Sequence, residues 1–461
     1  MAMENGRFRA GFARTDITPP LGTPIVGYFE ERRAKGILDR LEANALAFHD
    51  GERAAVLVAA DLLGIEGVAF NDALRARVAA SAGVEPEAIY IHSTHTHTGP
   101  GAGVADPGRT HIFDGTEFYN EFLASRLADI AKLAIDDLRP ATLAIGRSQA
   151  RRISFLRRYR MKDGSIRTNP GVGNPDIAEP LGFLDETVRV LRVRRDGADD
   201  IAVLNFATHP DVVGGEEVSG DWPAFARRVF ERAVPGTKCV FFNGAQGDVN
   251  HVCTDPGPGE REELHPDFDD VDRGYGHSKH MGRVVAAAAM SVWAKCEPVA
   301  AGAIAYGVRR ISVPSQMPKP EELPKAREYA KLHDEGRDAE IPFKGMALTT
   351  VVAEAGRMLL LEHGPEKFEL PLSTVSIGDA VLFAGIPGEP FSEIGRAVRE
   401  HSPFRETFCT CLTNGSCGYF PVESAYAQGG YEARSSVFDR SVAERIVGGF
   451  QFPATSARPR G

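Results

Sequence analysis

No run of about 18 consecutive apolar residues occurs in the 461-residue chain, so nothing in it reads as a membrane-spanning helix. Nor does positive charge dominate: 53 basic side chains stand against 63 acidic ones, a formal net charge of −10. That balance argues against a nucleic-acid partner, which requires a concentrated basic face. The six cysteines, Cys239, Cys253, Cys296, Cys409, Cys411 and Cys417, match no paired zinc-ribbon spacing. A cysteine metal site at Cys409, Cys411 and Cys417 is therefore not expected. The N-terminal MAMENGRFRAGFARTDITPP lacks the apolar core of a secretion signal, so the expected compartment is the reducing cytoplasm. Neither a phosphate loop nor a strand-anchored G-x-G-x-x-G occurs, which disfavours nucleotide binding. Internal repeats and low-complexity tracts are missing too.

What is present is the composition of a globular protein, 43% hydrophobic and 25% charged, which argues against disorder beyond the two ends. Those ends, 1–6 and 453–461, read as frayed. The N-terminal third alternates strand and helix: strands at 41–49 and 54–60 around Asp50-Gly51, a helix at 68–82 closed by Gly83, and a strand at 88–92. A long helix is predicted at 118–138 and strands at 141–147, 187–194 and 201–207. A helix at 222–233, a strand at 238–242, a loop at 254–276 and a helix at 281–294 follow. The segment 314–366 reads as a largely helical excursion from a single catalytic domain spanning 1–461. A hairpin, 370–377 with 380–384, turns at Gly378-Asp379, and a helix starts after Pro390. Three strands end in polar residues that could share one rim, where α/β proteins place chemistry.

The sharpest local signal is His92-Ser93-Thr94-His95-Thr96-His97-Thr98-Gly99-Pro100. In an extended segment His95 and His97 point the same way, because side chains alternate with period two. Such a pair serves as metal ligands, as an acid–base pair, or simply as hydrogen-bonded histidines. His209, in F-A-T-H-P-D, follows another apolar strand, with Asp211 and Asp221 near enough to orient an imidazole. Alone, His209 reads as structural. Glu389, in G-I-P-G-E-P, reads on its own as a first-turn glutamate suited to the helix dipole. Tyr419, Tyr426 and Tyr431 read as packing residues with bonded hydroxyls. The basic run RRISFLRRYR, Arg151 to Arg160, is either a solvated face or a source of one arginine for a site.

In this order, T-H-T-H-T-G-P-G, H-P at His209, G-A-Q-G-D-V, P-G-E, and G-Y-F-P with G-Y-E resemble the neutral, non-lysosomal ceramidase family. The resemblance runs from G-F-A-R-T-D-I-T-P-P to Y-E-A-R-S-S, most of the chain. It implies an α/β fold of mixed sheets packed with helices, and a single Zn2+ that activates water to cut an amide (N-acyl) bond. Carried over motif by motif, the zinc ligands are His95, His209, Glu389 and Tyr419. His97 contacts the water or reacting group, Tyr431 hydrogen-bonds the reacting oxygen, and Arg157, with Arg158 beside it, faces the substrate. A few N and O ligands with one open position suit a catalytic zinc.

Departures from the family pattern bear on the substrate. After G-D-V the family has a serine, whereas this chain has Asn250 and then His251, which excludes a serine nucleophile there. Pro390 follows P-G-E in place of an aromatic, and no C-terminal immunoglobulin-like domain is expected. A small or polar substrate is thus favoured over long-chain ceramide. A zinc esterase, lactonase or carbohydrate-active enzyme, and a non-catalytic metal-stabilised binding protein, are the alternatives. Oligomeric state does not follow from the sequence.

Overall fold

The computed structural model describes residues 8–29, 32–104, 116–269 and 271–452. The ends expected to fray, 1–6 and 453–461, lie outside them. Thirteen strands matter here: β1 Arg9–Asp16, β2 Glu42–His49, β3 Ala54–Ala60, β4 Ile89–Ser93, β5 Arg139–Gln149, β6 Thr187–Arg195, β7 Asp200–Phe206, β8 Thr237–Asn243, β9 Glu297–Val299, β10 Ile304–Pro314, β11 Lys367–Ile377, β12 Val381–Gly385 and β13 Glu406–Thr410. With them come helices α1 Val68–Ala82, α2 Glu117–Asp136, α3 Asp221–Ala233, α4 Tyr275–Trp293, α5 Leu323–Asp334, α6 Gly345–Glu362 and α7 Ser392–His401.

Side-chain alternation explains the layers. Along β2 the small Ala43, Ala45 and Ala47 face one cluster with α1 and α2, while Leu46 and Phe48 face another. Small residues let helices lie close: a Cβ on Gly11 of β1 would sit 1.9 Å from the Ala134 carbonyl of α2. In β7 and β8, Ala202, Leu204, Cys239 and Phe241 meet α3 and α4, while Val203, Val240 and Phe242 turn to the opposite face. That opposite face, shared by both halves of the large sheet, packs on Val375, Val381, Phe383 and Phe408 of a second sheet. The second sheet buries its far side, including Leu370, Leu382 and Cys409, under α7.

The large sheet runs β8-β7-β6-β5-β1-β2-β3-β4, with β9 also on β5. The β7–β8 and β3–β4 pairings are parallel and the others antiparallel. Its path curls until the end strands meet, where the Asn243 amide donates to His92 Nε2 (2.9 Å). The C-terminal ends of β4, β7 and β8 thereby come together. The second sheet runs β10-β11-β12-β13, with β12 and β13 parallel. Where those two end, the Cys411 amide donates to the Asn243 carbonyl (3.1 Å), which brings both sheets to the same rim.

The predicted elements recur with ends shifted by few residues, and α1 and β3 match in full. Helix α4 starts at Tyr275 rather than 281, so the predicted loop 254–276 is shorter. Its first turns, Gly276 to His280, carry no apolar stripe that would mark them as helix. Four strands had no prediction. In β1 and β10 charged residues and glycine interrupt the apolar run, β13 sets Phe408 and Cys409 among Glu406, Thr407 and Thr410 over only five residues, and β9 has three residues. Between β10 and β11, α5 and α6 bury Tyr329, Val351 and Met358 against each other. Among the described residues no helix is long and apolar enough to cross a membrane.

Candidate metal centre

Strand β4 stops at Ser93, and the two histidines that follow are not in an extended segment. His95 takes a left-handed φ of 77°, rare for a side chain of its size, so the period-two argument does not apply. Backbone bonds hold the turn: the His95 amide to Leu62 O (2.8 Å) and the His97 amide to Pro210 O (3.1 Å). The rings converge all the same, with His95 Nε2 and His97 Nε2 3.3 Å apart. His209, three residues past β7, completes a buried trio whose ring nitrogens lie within 4.8 Å of one another. Among the described residues it is the one such cluster of histidine, cysteine or acidic groups.

The hydrogen bonds fix which nitrogens face the centre. His95 Nδ1 donates to Leu63 O (2.7 Å) and His209 Nδ1 to Gln246 O (3.1 Å), leaving both Nε2 atoms with bare lone pairs. Glu389 Oε2 lies 3.2 Å from each of them. Against the upward push of burial, positive charge on these two rings would hold the Glu389 carboxyl well below the usual range, so the carboxylate suits a cation at this point. His209 Nε2 and Glu389 Oε2 are both buried without a hydrogen-bond partner. Imidazole lone pairs and an ionised carboxylate oxygen aimed at one point fit a divalent ion that takes N and O ligands, zinc among them.

Tyr419 enters beside Glu389, because residues 389–390 and 419–420 pair in parallel with Glu389 opposite Tyr419. Its ring stacks 6.3 Å from His209 and meets Tyr431 edge-on at 5.4 Å. Burial, then the Glu389 charge, pushes both phenols up, so each keeps its proton at neutral pH. Arg157 lies 5.3 Å from the Tyr419 ring, tied by Nη2 to Gly247 O (2.6 Å) and by Nε to Glu432 Oε1 (2.7 Å). Arg158 diverges to Gln428, Gly429 and the Phe391 ring. Tyr426 belongs to the packing around Ser436 and the Phe438 carbonyl.

Asn250 pairs with Phe155 and donates to Asn169 Oδ1 (3.1 Å). His251 lines a separate cavity of about 640 Å³ with His277 and His280. Among the described residues Asp221 contacts no imidazole; it accepts the Val212 and Val213 amides (2.9 and 3.1 Å) and so anchors the loop after His209. Asp211 approaches His97, with Oδ1 3.7 Å from Nδ1. Sequence reasoning missed Gly27, Tyr28, Arg273 and Glu432, which touch His97, Asp211 or Arg157. No spacing links Gly27, Tyr28 and Arg273 to the T-H-T-H block, and only the glycine–aromatic pair Gly27-Tyr28 marks its loop as unusual; Glu432 stands in the G-Y-E motif, which was read for its tyrosine.

Fold and centre together define a mixed α/β protein of the ceramidase type, with a buried His/Glu donor set at its strand ends. Residues 8–305 match the family model described as neutral/alkaline non-lysosomal ceramidase, N-terminal, and the chain belongs to that family. Membership implies a hydrolase. The neutral ceramidase from Pseudomonas aeruginosa superposes with a TM-score of 0.71 at 20% identity, covering 99% of this chain and 77% of that one. A ceramidase complexed with C2 gives 0.70 at 20% identity, covering 96% and 74%. At that identity the likeness is one of fold. No curated protein matches the chain significantly in sequence. The family match ends before Glu389, Tyr419 and Tyr431, which the fold brings to the same centre.

Proposed function

We propose that this chain is a zinc-dependent hydrolase that cleaves an amide (N-acyl) bond with water, on a small or polar substrate rather than long-chain ceramide. One observation carries the reading: His95 Nε2 and His209 Nε2 each lie 3.2 Å from Glu389 Oε2, all three buried and turned to one point. In this reading His95, His209, Glu389 and Tyr419 hold the ion. Bound there, zinc would supply Lewis acidity and lower the pKa of water to about 7.

The chain's own groups supply the rest. His97, kept neutral because burial drives its pKa well below the ordinary value, takes a proton from water and returns one to the leaving amine. Tyr431 stays protonated and donates its hydroxyl hydrogen to the developing oxyanion. Arg157, braced by Glu432, adds a fixed positive charge at the same rim and favours a polar or anionic substrate group. The donors span residues 95 to 431, in keeping with one catalytic domain in which 314–366 is an excursion. Buried thiols at Cys239, Cys409 and Cys411 agree with a reducing, cytoplasmic setting.

The test is metal analysis together with panels of N-acyl compounds, esters, lactones and glycosides, run on the wild type and on Glu389→Ala. The reading expects one zinc per chain, turnover of N-acyl substrates and loss of both in the variant. Hydrolysis that persists without metal would refute it.

A further inference from the structure

We infer that Asp211 is the positioning residue for His97, locked in place by Tyr28 and Arg273. The inference rests on the proposed role of His97 as the group that exchanges a proton with the reacting centre.

Asp211 is itself rigidly held. Its Oδ1 accepts from the Tyr28 hydroxyl and from Arg273 Nε (2.9 Å), and its Oδ2 accepts from Arg273 Nη2 (2.9 Å). Arg273 is braced in turn by two bonds to Asp269 (2.7 and 2.8 Å). The guanidinium groups of Arg32 and Arg273 lie 3.9 and 4.7 Å from the centroid of the Tyr28 ring, which packs 5.3 Å from the His97 ring. The following residues, Val212 and Val213, hang on Asp221. Asp211 thus has little freedom to turn away.

His97 meets this anchored carboxylate with one nitrogen and the metal centre with the other. Nδ1 is buried, has no hydrogen-bond partner and lies 3.7 Å from Asp211 Oδ1. Such contacts tighten once a site is loaded. A carboxylate can only accept, so once an ion takes up the His95 Nε2 lone pair that faces His97 Nε2 at 3.3 Å, Asp211 draws the His97 hydrogen to Nδ1 and leaves the His97 Nε2 lone pair facing the centre. An imidazole without that partner prefers its hydrogen on Nε2, which would block the centre with a donor. Asp211 therefore sets the tautomer that lets His97 accept a proton. It touches no ion and no reacting atom.

The experiment uses zinc-loaded protein labelled with 15N-histidine, and two-bond 1H–15N correlations read the tautomer of each imidazole. His97 is assigned by its loss in His97→Gln. The wild type is expected to carry the His97 hydrogen on Nδ1, and Asp211→Asn to move it to Nε2. Finding it on Nε2 in the wild type, or unmoved in a folded Asp211→Asn, overturns the inference. Should Asp211→Asn fail to fold, the wild-type spectrum still decides. Kinetically, Asp211→Asn is expected to lower kcat about 100-fold, the scale of one acid–base group, with KM within about twofold and zinc content unchanged. Unchanged kcat, or zinc lost in proportion to activity, overturns it as well. A wild type that turns over no N-acyl substrate would sink the proposed reaction and leave the tautomer result standing.

Discussion

Glu389 and Tyr419 sit opposite each other on a two-residue parallel pairing, with the Glu389 amide donating to Gly418 O (2.9 Å). The approach needs glycine: a Cβ on Gly388 would lie 2.6 Å from that same carbonyl. Strands β12 and β13 thus hand a carboxylate and a phenol to one point. Glu389→Gln keeps the shape and removes the negative charge 3.2 Å from the His95 and His209 Nε2 atoms. Its zinc affinity should fall by at least ~100-fold, beyond what losing an outer partner costs. Tyr419→Phe should weaken zinc less, since three donors remain. Chelator competition followed by metal analysis measures both, and equal losses would show that the carboxylate has no special place.

Removing the ion should also destabilise the fold. With zinc at about 1,000 times its Kd, binding contributes ~4 kcal/mol, because the unfolded chain offers no assembled site. Calorimetry with and without a chelator should show a lower Tm for the stripped protein, restored by added zinc. An unchanged Tm would mean that no ion binds the native state in preference.

His92 links the two sheets and predicts a loss of stability in acid. Its Nε2 accepts the Asn243 amide (2.9 Å) and its Nδ1 donates to the Cys411 carbonyl (2.7 Å), so the ring is neutral. Burial, against the opposing pull of the Cys411 carbonyl, lowers its pKa from 6.5 to about 3. Between those values the unfolded chain binds the extra proton, so His92's contribution is complete above pH 6.5 and shrinks as pH falls toward 3. The slope is about 1.4 kcal/mol per pH unit. Urea midpoints from pH 8 to 4 should fall more steeply in the wild type than in His92→Gln. Parallel curves would refute the assignment.

The sequence was most legible where one side chain's type carried the meaning. Strand β3 is an unbroken apolar run, α1 ends at a left-handed Gly83, and the T-H-T-H block and P-G-E glutamate stand out by motif. Elements held by tertiary contacts were hidden. Strand β10 carries Arg309 and Arg310 in its middle and is a strand because β11 pairs along its whole length. The site was read for the residues that face the ion and missed for those that brace them. Tyr28 and Arg273 meet at Asp211 and Glu432 braces Arg157, and no local pattern records either contact. The His95–His97 geometry was foreseen for the wrong reason, since a strained turn rather than an extended strand brings the rings together.

Gly27 separates stability from chemistry. Its φ is 117°, and an added Cβ would stand 2.8 Å from His97 Nδ1 and 3.1 Å from a Leu63 methyl. Gly27→Ala must therefore shift the His97 ring or lift the Tyr28 loop, whereas His95, His209 and Glu389 are untouched. Expected are zinc retained, hydrolysis down by at least ~10-fold, a part of the ~100-fold or more that one whole acid–base group contributes, and a stability loss of about 1 kcal/mol or more for alanine at positive φ. Gly22→Ala is the control: its φ is 88° but a Cβ there meets nothing within 4 Å. It should carry a similar backbone penalty and full activity. If both variants lose activity alike, strain rather than the seat of His97 is responsible. If neither does, the His97 ring has room that the contact distances deny.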